Sequence, residues 1–173
     1  MSEHPAIAYV PPEFLTELGA LTLNWAAIEG ALDFSVSTIF RYLRNDKMEA
    51  EIPRALEKKI IFIRQALRHE QLAKIDKPSR DLMTDLMAAK EQRHALVHGA
   101  VLKADETSIT TLRVKYSKTG HDVGEHTTSI KEVISLRDIA QELSFRATAF
   151  SAAVCNIATP DNPVDYPLGD FAW

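Results

Sequence analysis

From Glu13 to about Arg44 an apolar side chain returns every three or four residues: Phe14, Leu18, Leu21, Trp25, Ile28, Leu32, Val36, Ile39 and Leu43. This is the period of an α-helix, held for about eight turns. A helix of that length gains its stability by burying the stripe against other helices, so the chain is constrained to a mainly α fold. The opposite side of the same segment is also bare of charge, with Ala20, Leu23, Ala27, Ala31 and Phe34. A helix apolar on two sides is packed on two sides. The second neighbour is either the chain's own last helix or a partner subunit.

Three more helices follow. The second is expected over about 53–75, with Pro53 at its first position. Leu56, Ile60, Ile63 and Leu67 face inward, and Lys58, Lys59, Arg64, Arg68 and His69 face outward. Lys77-Pro78-Ser79 breaks the pattern, and Ser79 is placed to cap a third helix over about 80–98 that stops at Gly99. The period then changes from 3.6 to 2. In Ile109 to Tyr116, Leu112, Val114 and Tyr116 alternate with Thr111, Arg113 and Lys115, as in a half-buried strand with the apolar set inward. Ser117 to Asp122 reads as a turn, Val123 to Ile130 as a return strand, and 100–104 as a short additional strand. A serine followed three places later by an acid, Ser135-Leu136-Arg137-Asp138, marks the start of helix four. Its inner stripe is Leu136, Ala140, Leu143, Ala147, Phe150, Val154 and Ile157. The expected architecture is a four-to-five-helix up-and-down bundle with an antiparallel β-hairpin inserted between helices three and four. It forms one domain over 1–173, with a core at 13–158, the insertion at about 100–131 and an irregular tail at 159–173.

Composition narrows the function. Twenty basic against 24 acidic residues give a net charge of −4, which argues against broad electrostatic capture of DNA but leaves room for a local basic cleft. The single cysteine, Cys155, cannot form an internal disulfide and sits in an apolar helical stretch, as a small buried residue does. No apolar run is long enough to span a membrane, and no basic segment leads into one at the start of the chain. A cytoplasmic protein with no membrane association is the expectation. No glycine-rich phosphate loop and no G-x-S-x-G elbow is present.

One residue breaks the core pattern. Leu82, Leu86, Ala89 and Leu96 or Val97 form the inward stripe of helix three, and Arg93 falls near its centre. A lone buried guanidinium costs several kcal/mol unless it is paired or meets water, on the order given by buried-ion energetics. A carboxylate, a cleft or an anionic ligand must therefore wait for it, and Glu29, at the edge of the first helix's stripe, is the candidate carboxylate. His94 follows Arg93 directly, and His98 lies five residues on, just before Gly99. Basic residues in a last helical turn also serve simply to bond free carbonyls. His94 and His98, four apart, have a chelating spacing, but there is neither a cysteine cluster nor an H-E-x-x-H; no metal and no cofactor is expected.

The run Arg93-His94-Ala95-Leu96-Val97-His98-Gly99 near the end of a third long helix resembles the R-x-x-x-x-H motif of the HEPN superfamily, in which a polar residue often follows the arginine. Trp25-Ala26-Ala27-Ile28-Glu29 is similar to the aromatic-plus-glutamate segment of some members. The resemblance covers about residues 13–158. It implies a metal-independent endoribonuclease of the kind found in toxin–antitoxin or antiviral systems, with an RNA substrate, an antitoxin or other protein partner, and a homodimer in which two motifs face one cleft. The alternative it leaves open is a non-catalytic HEPN-like module that binds protein or nucleotide.

The residues suit RNA cleavage on their own terms. Attack of a 2′-hydroxyl on the adjacent phosphate needs a proton acceptor, a proton donor and stabilisation of phosphoryl charge. Histidine serves as acid or base near neutrality, and the guanidinium fork matches phosphate oxygens. Arg93 and His98 are thus the catalytic pair, His94 an assisting phosphate ligand and Glu29 a supporting residue. On an ideal helix Arg93 and His98 lie roughly 140° apart. They converge only through arginine's reach, through loosening of the helix end, or through a second subunit.

Overall fold

The structure, a computed structural model, describes residues 9–44, 48, 50–117 and 120–163. The element order is α1 (Pro12–Tyr42), α2 (Leu56–Ala66), a 3-10 segment (Glu70–Ile75), α3 (Asp76–Val97), β1 (Ala100–Ala104), β2 (Ser108–Ser117), β3 (Gly120–Ser129) and α4 (Ile130–Ala158). The fold is mainly α, with four helices and a small antiparallel sheet inserted between the third and fourth, as expected. Most of the lead-in, part of the connector after α1, Lys118 and Thr119 of the hairpin turn, and the tail from 164 onward lie outside the described residues.

The α1 stripe is the core. Phe14, Leu21, Ile28, Leu32, Val36 and Ile39 are wholly buried, and Trp25 and Leu43 nearly so. The second stripe of α1 behaves differently: Leu23 and Phe34 are exposed, and Ala27, Gly30, Ala31 and Phe34 border a groove shared with Thr148, Ser151 and Ala152 of α4.

The second helix is shorter than its pattern. Pro53 precedes it, Ala55 is its N-cap, and the helix ends at Ala66 with Leu67 as C-cap. A 3-10 segment follows, started by His69, whose Nδ1 accepts the Gln71 N–H. Lys59 is a correction to the outward face: it is buried and ion-paired with Asp33 of α1. Burial of the aliphatic stem with the ammonium on a half-exposed carboxylate is the arrangement a long cation tolerates.

The expected break at Lys77-Pro78-Ser79 does not occur. Asp76 is the first residue of α3, so Pro78 stands in the first turn, where its missing N–H has no intrahelical acceptor to lose. Ser79 is not the cap; its hydroxyl donates to the Ile75 carbonyl.

Helix four also starts earlier than Ser135. Ser129 caps it: the Glu132 N–H donates to Ser129 Oγ at 3.3 Å, and Glu132 Oε2 accepts the Ser129 N–H at 2.7 Å. This reciprocal box, S-x-x-E, is the stronger of two similar signals in the sequence. It turns β3 directly into α4.

The sheet order is β1-β2-β3. Ser117 pairs with Gly120, so the β2–β3 connection is two residues long and tighter than expected. The turn before β2 is held by Asp105, whose carboxylate accepts from the N–H and hydroxyl groups of both Thr107 and Ser108. These four donors pull its pKa down to about 2.

The chain forms two compact units. One contains residues up to Leu23, the end of α3 from Ala89, the sheet and α4 as far as Ile139. The other contains the rest of α1, α2, the 3-10 segment, most of α3 and the remainder of α4.

Ser129→Ala should lower stability by about 1 kcal/mol in urea unfolding, the usual worth of a serine cap. The two Ser129 bonds hold the Glu132 carboxyl below its ordinary value of 4.5. The box's contribution is therefore complete above pH 4.5 and is lost as pH falls through the lower folded-state value. The gap between wild type and Ser129→Ala should narrow over that acid range.

Candidate active site at the end of the third helix

The end of α3 packs on the sheet through one close approach. A Cβ placed on Gly99 would lie 2.5 Å from Thr111 Cβ and 2.7 Å from its Oγ1. Only a hydrogen fits there. Gly99 stands just past the end of α3, as expected, but no described glycine has a positive φ, and the position demands space rather than conformational freedom.

Thr111 is itself a correction. It is 2% exposed, Arg113 is half-buried, and Val114 is 41% exposed. Cross-strand partners place Thr111 with His126, and Arg113 with Gly124, on the face turned toward Leu96 and Leu136; Val114 lies opposite Val123 on the other face. The alternation is real, but the sheet is oriented with its threonine and arginine face inward and its valines outward.

Arg93 and His98 meet within one chain. Arg93 Nη1 lies 3.3 Å from His98 Nε2. The helix runs to Val97, and the His98 N–H still bonds the His94 carbonyl at 3.3 Å, so one further turn brings His98 round while the long guanidinium reaches across. Arginine has only donors, so Nε2 is the acceptor, and the neutral His98 ring carries its proton on Nδ1. Arg93 is half-buried between the buried Ala89 and Leu96, while His98 is exposed.

His94 completes the cluster. Its ring centroid is 4.6 Å from that of His98, with the planes 48° apart. Its pKa is lowered, first by loss of water around the ring, then by the charges of His98 and Arg113; Glu91 pulls the other way. His94 is thus biased toward the neutral form, with one ring N–H to donate, rather than a standing cation. Arg113, on β2, is a member of this group that the sequence reading assigned to the outer face.

Glu29 lies in the other compact unit, where its Oε1 accepts the Trp25 indole N–H at 3.0 Å. The same unit buries Cys155, 3.7 Å from Thr38 Oγ1, as a small core residue. Among the described residues no three His, Cys, Asp or Glu side chains are grouped to hold a metal ion, and no helix is long and apolar enough to cross a membrane.

A cleft of about 550 Å³ lies between α3, the inward face of β2 and β3, and the start of α4. Glu91, Arg113, His126, Thr128 and Glu132 give it polar walls, and Leu96 and Leu136 an apolar floor. Compared with family models, with curated proteins and with solved structures, the chain matches none of them.

Two measurements probe this geometry. Gly99→Ala should destabilise the chain by about 1–3 kcal/mol, the usual cost of overpacking, because Thr111 Cβ cannot swing away; chemical unfolding reads it. His94 should titrate below 6.5 by NMR, and Arg113→Met should raise its midpoint, since a positive neighbour is removed.

Proposed function

We propose that the chain is a HEPN-like, metal-independent endoribonuclease acting through Arg93 and His98. The observation that carries this reading is the 3.3 Å contact between Arg93 Nη1 and His98 Nε2 at an exposed helix end. It joins a phosphate-binding fork to a proton acceptor.

The groups divide the work by chemistry. The Arg93 guanidinium takes two oxygens of the scissile phosphate, which releases its hold on His98 Nε2. The freed nitrogen accepts the 2′-hydroxyl proton as O2′ bonds to phosphorus. The P–O5′ bond breaks, leaving a 2′,3′-cyclic phosphate. In a homodimer with two motifs facing one cleft, His98 of the partner subunit, already in its imidazolium form, gives its proton to the 5′ oxygen, so one ring ends protonated and the other neutral. His94 donates an N–H to the phosphate, and Glu29 supports the fold by fixing Trp25 on α1. This reading places the protein in the cytoplasm as a toxin-like or antiviral nuclease, restrained by an antitoxin or comparable protein.

A second reading has its own support. Val114 and Val123, paired across β2 and β3, are 41% and 56% exposed. Such a pair on an outward sheet face suits a protein partner, and with it a non-catalytic binding module.

Incubation of the full chain with single-stranded and structured RNA in EDTA separates the two. Cleavage to cyclic-phosphate ends should fall about 100-fold or more in His98→Ala and in Arg93→Ala, the scale for loss of acid–base and charge-stabilising groups. Cleavage that persists in both variants, or an inert wild-type chain, contradicts the nuclease assignment.

A further inference from the structure

The cleft between α3, the sheet and the start of α4 contains a polar group that the fold itself leaves unused. Thr128 is 8% exposed and lines the cleft, yet its hydroxyl has no hydrogen-bond partner. A buried hydroxyl without a partner is destabilising, so an occupant that bonds it recovers that loss. The cleft's volume of about 550 Å³ falls within the range of small-molecule sites and exceeds what one nucleobase needs.

The wall chemistry is specific. Arg113 stands on the strand side and Glu91 on the helix side, over a floor of Leu96 and Leu136. Both are also among the charged groups that bear on the His94 ring. Glu132 has its Oε2 committed to Ser129, whereas Glu91 is exposed, with Lys90 Nζ at 3.7 Å from its Oε1. An arginine fork matches two acceptors set side by side, and a carboxylate matches two donors set side by side. Guanine alone among the RNA bases offers both: O6 and N7 on one edge, N1–H and the N2 amino group on another. Adenine turns a ring lone pair toward the carboxylate, and the pyrimidines lack the N7 side.

We propose that this cleft is a guanine subsite. Arg113 donates to O6 and N7, Glu91 accepts from N1–H and N2–H, the ring lies on Leu96 and Leu136, and Thr128 gains a partner on the base. The inference rests on the RNA reading above. It adds that a guanosine of the RNA occupies this cleft while Arg93 holds the scissile phosphate, so the enzyme prefers RNA with a guanine near the cut.

Calorimetric titration of the full chain with guanosine 3′-monophosphate and adenosine 3′-monophosphate tests it. The guanosine compound should bind about tenfold tighter or more, the discrimination expected of one good bidentate contact. Glu91→Gln should remove that preference and leave adenosine binding within about twofold, since the amide keeps the shape but offers one acceptor. Thr128→Val should weaken the guanosine compound several-fold, on the order of one lost hydrogen bond. Equal affinity for the two nucleotides, or a preference that survives Glu91→Gln, overturns the subsite. The two readings fail separately. Guanosine binding by a chain that cuts no RNA keeps the subsite and removes the nuclease. His98-dependent cleavage indifferent to neighbouring bases keeps the nuclease and removes the subsite.

Discussion

Everything of chemical interest in this chain depends on how closely the end of α3 approaches β2. Gly99 has no side chain, and Thr111 fills the space where one would be. The contact leaves only two residues, His98 and Gly99, between the end of α3 and the start of β1, so His98 is held at the junction of helix and sheet. It also sets the sheet's orientation. With Thr111 pressed on Gly99, Arg113 two residues further along must share that face, and it lines the cleft with Glu91 and Gln92 of α3. One steric constraint thus gathers groups from a helix end and a strand that are otherwise unrelated in sequence.

The second support is the box at the start of α4. Ser129 ends β3 and begins the helix in the same residue, and its bonds with Glu132 fix the angle between them. Thr128, immediately before it, is thereby held on the cleft side. The cost of that rigidity is a hydroxyl left without a partner. Tight packing around a polar group that local structure does not satisfy is the pattern expected where a ligand completes the bonding.

Helix count, the inserted sheet and the stripes of α1 and α3 were legible in the sequence because they rest on periodicity, which needs no tertiary knowledge. Arg93 was legible for the same reason, as an exception to a period. What periodicity does not carry is which face of a strand turns inward. Leu112, Val114 and Tyr116 are the apolar set of β2, yet Val114 is exposed, while Ile109 and Thr111 of the alternate set are buried and Thr111 meets Gly99. Arg113 and Thr128 were missed as a consequence. The true start of α4 was missed because Ser135-Asp138 imitates the cap that Ser129 and Glu132 make. Pro78 misled in the same way: it interrupts a helix interior but suits a first turn. Lys59 could not be placed without knowing that Asp33 of α1 would meet it.

The central claim is that the chain on its own aims the Arg93 guanidinium at Nε2 of His98, so that the nitrogen holds its lone pair ready and the ring proton sits on Nδ1. Imidazole ¹⁵N shifts of His98 in the full chain, recorded where the ring is neutral, read this directly. The account predicts an unprotonated Nε2 and a protonated Nδ1, with the distribution changing in Arg93→Ala. A neutral ring protonated at Nε2, or one unchanged by loss of Arg93, would contradict it.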